Sequence, residues 1–291
     1  MMHTGPRFGA GGNSDGFYAA GNKSSLAACE YLYGLGLNAY EYECTHGVRI
    51  SNAFCTSMRK NAALFDCSLS IHAPYYINLA SLENTIREKS VQHLLKALRA
   101  ADQMGAASVV FHPGAIGEQT REQATERAAE LLEEIVRLAD KEGLLQFTTL
   151  RPETMGKSGQ LGTLGEVLRL CEVAESVRPT VDFAHIHALT GGGIQERCDY
   201  ERLLGKIDRR LGEQALDRLH IHFSPIEYTN AGEKRHRNLS DKEFGPDFEP
   251  LAAILAEQGW HSTIICESAG EQDLDAAVYA KMYQIACCDK S

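Results

Sequence analysis

Carboxylates and imidazoles recur where apolar runs of this chain end. The densest case is Val181-Asp182-Phe183-Ala184-His185-Ile186-His187, which follows Arg178-Pro179. His72 closes Leu69-Ser70-Ile71, and His112 closes Val109-Val110-Phe111. Glu153 follows Arg151-Pro152, His222 sits in Leu219-His220-Ile221-His222-Phe223, and Glu267 closes Ile264-Ile265-Cys266. His236 lies in a charged segment, Glu233-Lys234-Arg235-His236-Arg237. Such groups are costly to bury unless they bind protons, partners or metal. Imidazole and carboxylate together suit zinc, with manganese and iron as alternatives. One carboxylate can bridge two ions ~3.5–4 Å apart. The spacing of Asp182 and His185 lets them point to different ions of one cluster. Singly, each residue also has an ordinary role: a helix-capping Asp, a hydrogen-bonded His before a turn, a part-solvated Glu. Their recurrence at one strand end after another argues for a shared site.

The elements that must position them alternate between strand-like and helix-like throughout. Strands are expected near 7–12, 38–43, 69–72, 108–112, 144–150, 181–187, 219–223 and 262–267. Between them run helices, one capped by Ser51 and one by Thr163 with Glu166 three residues on. Others carry apolar stripes at spacings of three and four, such as Val91, Leu94, Leu95, Leu98 and Ala101. Further helices are expected at 25–35, 200–211, 248–257 and 276–287. The pattern predicts an α/β fold, a (β/α)8 TIM barrel of parallel strands, as one domain over 1–291. Such a barrel gathers its strand C-termini around one mouth, where chemistry sits. The glycines of 9–12 lack the GxGxxG order, so no dinucleotide fingerprint is present.

The 291 residues are 44% hydrophobic and 23% charged, enough for one sizeable core. The start, Met1-Met2-His3-Thr4-Gly5-Pro6, lacks the apolar core of a signal peptide. No run approaches the roughly 20 apolar residues of a membrane span. Nine cysteines, an odd number without a CxxC pair, suggest neither a disulfide framework nor a zinc ribbon. A cytoplasmic location without membrane contact is expected. The formal charge of −10, from 39 acidic and 29 basic residues, counts against a nucleic-acid footprint.

At the strand ends the chain resembles the endonuclease IV family (AP endonuclease family 2) of the xylose isomerase-like TIM-barrel superfamily. The matching segments are Ile71-His72-Ala73-Pro74-Tyr75, Phe111-His112-Pro113-Gly114, Pro152-Glu153-Thr154, Val181-Asp182-Phe183-Ala184-His185, His222-Phe223-Ser224 and Cys266-Glu267-Ser268. The resemblance implies that His72, His112 and Glu153 bind a first zinc ion. Glu153 bridges to a second, held by Asp182, His222 and Glu267, and His185 and His236 serve a third. It implies a metal-dependent phosphodiesterase, a hydrolase of DNA repair that cuts 5′ to abasic sites through a metal-bridged hydroxide. Glu153 and Glu267 are its catalytic candidates. The family has an Asp two positions before the later histidine of the third site, where this chain has Lys234. A charged lysine cannot replace a carboxylate ligand; Glu233 could reach instead, from a different backbone position. The chain therefore looks like a divergent branch with two or three ions.

On the substrate side, Tyr75 and Tyr76 leave the third strand and could stack on a base. Lys234 and Arg235, with Arg49, Lys157 and Arg237, are candidate phosphate contacts. The alternative is a sugar isomerase or epimerase that uses Glu153, Asp182, His222 and Glu267 around a single metal, with the two glutamates moving protons. The acidic charge and Lys234 favour it, whereas His72, His112 and His185 favour the phosphodiesterase. The expected partner is abasic-site DNA, or a small sugar under the alternative, and a monomer is expected. A non-catalytic metal-binding scaffold has no positive support. His46, His93, His187, His220 and His261 are expected in structural or supporting roles, with His220 inside the barrel.

Overall fold

The computed structural model describes residues 5–288. The first four residues of the start considered above lie outside the described residues. Eight parallel strands form one sheet: β1 (Arg7–Gly11), β2 (Ala39–Glu43), β3 (Ser68–His72), β4 (Ser108–Phe111), β5 (Thr149–Pro152), β6 (Thr180–Asp182), β7 (His220–Phe223) and β8 (Thr263–Cys266). Their spatial order is β5-β4-β3-β2-β1-β8-β7-β6. Parallel bridges Leu150–Val177 and Glu153–Thr180 join the two ends, so the sheet nearly closes into the expected TIM barrel. Helices cover the outer face of the barrel and side chains fill its interior, which explains why β4 and β7 are buried at every residue. Gly9 permits close contact within the wall: a Cβ there would lie 1.8 Å from the Ala39 carbonyl oxygen.

The long helices Asn84–Met104 and Arg121–Lys141 bury the predicted stripes, including Val91, Leu94, Leu95 and Leu98 on the first. Thr163 and Glu166 form a capping box at the start of Leu164–Cys171. No helix of the described residues is long and apolar enough to cross a membrane. Cys29, Cys44, Cys55, Cys67, Cys171 and Cys266 are buried free thiols.

Two expectations need correction. The fifth strand is Thr149–Pro152, later than 144–150. Leu144 is buried and Leu145 packs on the core from a turn after Arg121–Lys141, so their apolar character does not mark a strand. The sixth strand stops at Asp182, and Phe183–Leu189 is a helix that carries His185 and His187. The Asp182 side chain accepts the His185 backbone N–H and caps that helix. After β7 the chain makes an antiparallel hairpin, Ile226–Thr229 with Gly232–His236, at the barrel mouth.

Candidate metal centre

The C-terminal ends of six barrel strands converge on the Glu153 carboxylate, which is fully buried. Its Oε2 lies 3.2 Å from His72 Nε2 and 3.2 Å from His112 Nε2. Its Oε1 lies 3.2 Å from His222 Nδ1 and 3.3 Å from His185 Nδ1. Glu153 thus divides its oxygens between two groups of donors. His72, His112 and Glu153 form one set close enough to share an ion, and Glu153, Asp182, His222 and Glu267 form another. Asp182, His185 and His236 form a third. Asp182 uses Oδ1 for its helix cap, while buried Oδ2 has no hydrogen-bond partner and lies 3.4 Å from His185 Nδ1. A cation would satisfy that oxygen, and these nitrogen and oxygen donors fit zinc.

Ring orientation is fixed around the centre. His72 Nδ1 is 2.8 Å from the Ala73 carbonyl, which leaves Nε2 for the Glu153 side. His236 Nδ1 is 2.7 Å from Ser224 Oγ, and its Nε2 is 3.6 Å from Glu267 Oε2. Partners on the far nitrogen of a histidine set which nitrogen is free to ligate.

The buried acids and imidazoles shift one another's proton affinities strongly. Burial opposes the charged form of His222, but Glu267, Glu41 and Glu153 outweigh it and hold the imidazole well above its ordinary range. His185 is raised in the same way by Asp182 and Glu153, against burial. Burial likewise opposes the charged form of His72, and Glu43 and Glu153 raise it to about 10. Burial would raise Glu153, but the His222, His112 and His185 imidazoles hold it well below the carboxylate range. Burial pushes Glu267 up to about 8, with Glu153 and Asp182 adding repulsion that His222 only partly offsets. Burial, with the neighbouring His185, pushes His236 down to about 3. Strong shifts of both signs in one cleft are the pattern that makes this cluster a candidate functional site.

A cavity of about 450 Å³ opens over these groups, lined in part by Glu43, His112, Lys157, His185, Glu233 and Glu267. Tyr75 also lines it, 55% exposed, and its ring meets Tyr76 edge-on at 5.4 Å and His46 at 6.0 Å. Lys234 and Arg235 are exposed and pair, together with Arg237, with Glu227 on the hairpin. Arg49 is exposed, and Lys157 Nζ is 3.8 Å from Glu233 Oε1. Among the remaining histidines, His220 is inside the barrel on Glu41, His261 pairs with Asp217, His93 meets Tyr76, and His187 accepts the Ile194 N–H.

Glu41 and Glu43 were not among the predicted ligands, and Glu233 was considered only as a substitute for the family's Asp. Glu41 and Glu43 share the inward face of β2, since alternate strand residues point the same way. The alternation Tyr40-Glu41-Tyr42-Glu43 was the available signal. Burial raises Glu43 to about 7. Glu233 enters through a β-bulge: Tyr228 pairs with Glu233 and Glu227 with Arg235, which leaves Lys234 as the extra residue. Glu233 Oε2 then lies 3.4 Å from His185 Nε2. The Glu233 N–H donates to the Gly156 carbonyl, which ties the hairpin to the loop after β5.

The xylose isomerase-like TIM-barrel family model matches residues 29–282. An uncharacterized protein of Methanocaldococcus jannaschii is 33% identical over 90% of this chain and 92% of its own length. A probable endonuclease 4 of Aquifex aeolicus is 29% identical over 76% of this chain and 78% of its own. A D-tagatose 3-epimerase-like protein superposes with a TM-score of 0.73 at 20% identity, covering 98% of this chain and 99% of the other. At that identity the likeness concerns the fold.

Proposed function

The chain belongs to the xylose isomerase-like TIM-barrel family, and we propose that it is a zinc-dependent phosphodiesterase that hydrolyses DNA 5′ to abasic sites. The observation that carries this reading is the placement of His72 and His112 on one Glu153 oxygen while His222 and His185 face the other. A single-metal centre needs only Glu153, Asp182, His222 and Glu267. The His72–His112 pair adds the donors for a second ion. The likeness to a probable endonuclease 4 supports the same reading.

In this reading His72, His112 and Glu153 hold one ion, and Glu153, Asp182, His222 and Glu267 hold the next. His185, His236 and Glu233 border a third position. When bound, such ions lower the pKa of water and neutralise charge at phosphorus. Glu153 fixes the spacing of the two donor sets through its two oxygens. Glu267, on the cavity side of His222, accepts the proton of the attacking water. Lys157, exposed at the cavity, meets a phosphate oxygen, and Tyr75 stacks beside the lesion. Lys234 and Arg235 add positive charge at the hairpin edge.

The test is cleavage of a duplex bearing one abasic site by metal-replete protein, with Glu153→Ala as control. Cleavage 5′ to the lesion that disappears in the variant is expected. No cleavage by protein shown to hold metal overturns the reading. The second reading, a single-metal sugar epimerase, draws on the compact Glu153, Asp182, His222 and Glu267 group, the −10 charge and the likeness to an epimerase-like fold. Turnover of a keto-sugar by the same preparation would establish it.

A further inference from the structure

Below the metal centre the barrel axis holds a second polar layer. At its middle is Glu41, fully buried. Its Oε1 lies 2.8 Å from His222 Nε2, an ion-pair contact that is out of line for a hydrogen bond, and neither atom has another hydrogen-bond partner. Its Oε2 lies 2.9 Å from His220 Nε2 and accepts a 2.6 Å hydrogen bond from Ser70 Oγ. Arg151 occupies the same interior but donates to Ser108 Oγ and to the carbonyls of Pro179 and Arg218. Glu41 thus contacts a serine and two histidines, with the Glu43 and Glu267 carboxylates nearby, and one of those histidines reaches the mouth of the barrel.

His222 spans the two layers. Its Nε2 faces Glu41, and its Nδ1 stands 3.2 Å from both Glu153 Oε1 and Glu267 Oε1. A neutral imidazole carries one proton. The negative charge of a carboxylate 2.8 Å from Nε2, though out of line for a hydrogen bond, favours the proton on that lower nitrogen and leaves the lone pair of Nδ1 toward the mouth. A carboxylate behind a histidine also increases the donor strength of the opposite nitrogen. An apolar residue could fill the volume of Glu41, but it would leave His222 free to present the wrong tautomer.

We propose that Glu41 is a positioning residue: anchored by His220 and Ser70, it selects Nδ1 of His222 as the metal-binding atom and strengthens that bond. This rests on the reading of His222 as a metal ligand. In this role Glu41 acts through His222, so its effect appears in the metal's affinity and coordination.

The experiment uses the full chain, stripped of metal and titrated with cobalt(II), whose visible absorption reports ligand geometry. Affinity is measured by competition with a chelator. Glu41→Gln keeps the volume and removes the charge. It is expected to weaken cobalt at the His222 position roughly 10–100-fold and to alter the absorption bands. Ser70→Ala, which removes one anchor and leaves every charge in place, is expected to shift both in the same direction by less. It serves if Glu41→Gln does not fold. Equal affinity and identical spectra in wild type and a folded variant would overturn the role of Glu41 alone. A wild type that takes up no cobalt would overturn the metal reading beneath it.

Discussion

His185 Nε2 lies 3.4 Å from Glu233 Oε2, although Glu233 stands three residues before His236. In a regular strand residues three apart face opposite sides. The bulge at Lys234 absorbs the extra residue and turns Glu233 back to the side of His236. A carboxylate is thus available near His185 despite the lysine, and Lys234 is spent on Glu227 outside the cavity. Glu233→Gln is expected to lose one equivalent of metal, or to bind it more weakly, while the Glu153-centred ions stay. Lys234→Ala is expected to keep the full complement, with a stability change within about 0.5 kcal/mol, as for an exposed ion pair. Elemental analysis after dialysis distinguishes the two. Equal metal content in wild type and Glu233→Gln would remove Glu233 from the centre.

Gly156 makes room for that arrangement. A Cβ at this position would lie 2.7 Å from Glu233 Cβ, 2.9 Å from Glu233 Oε2 and 3.0 Å from His185 Cδ2. Gly156→Ala is therefore expected to push Glu233 away from His185 and copy the metal loss of Glu233→Gln. The cost in stability is expected at about 1–3 kcal/mol, typical of an overpacked interior. Thermal melting of the metal-free and metal-loaded variant checks this. A variant that gains as much melting temperature from metal as the wild type would show that the contact does not matter to the ion.

The convergence of these strand-end side chains was legible because each lies at the end of an apolar run, and a barrel leaves those ends no place but its mouth. Legibility failed where a residue's role depends on a partner distant in the chain. Glu41 reads as an ordinary acid between tyrosines until β7 brings His220 and His222 onto it. Glu233 is one position out of register in sequence, and the hairpin's pairing supplies the bulge that corrects it. The sixth strand was read too long for a local reason. Phe183 and Ile186 are apolar enough for either structure, and the Asp182 cap decides for helix. Leu144 and Leu145 misled in the opposite sense, since a turn can bury leucines as well as a strand can.

The protons held by the metal-free centre set a pH dependence. Burial raises Glu43 to about 7 and Glu267 to about 8, above the ordinary 4.5, and Glu43 and Glu153 raise His72 against burial to about 10, above 6.5. Between each pair of values the folded state binds more protons than the unfolded chain. Stability from these groups is present at low pH and is lost as pH rises through the folded values. His220 and His236 act oppositely, since burial lowers them to about 4 and about 3. Their neutral folded forms cost stability as pH falls below 6.5. The metal-free protein is therefore expected to melt at progressively lower temperature from pH 6.5 to 9. Bound cations take the place of those protons, so the metal-loaded form should decline less and the gap should widen with pH. Parallel melting curves for the two forms would contradict this proton exchange.

Tyr75 offers the sharpest separation between a DNA substrate and a sugar. Its ring lines the cavity yet is 55% exposed, and it holds an edge-on contact with Tyr76. Removing an exposed ring should cost the fold little. If the cavity receives DNA, the ring provides a stacking face worth about 1–3 kcal/mol per base, or roughly 5–150-fold in affinity. Tyr75→Ala is then expected to weaken binding of an abasic duplex by that factor. Tyr75→Phe, which keeps the aromatic face, should restore most of it. Fluorescence anisotropy on a labelled duplex at fixed salt measures both, with melting curves to confirm the fold. A duplex that binds wild type and Tyr75→Ala equally would take the tyrosine out of DNA recognition.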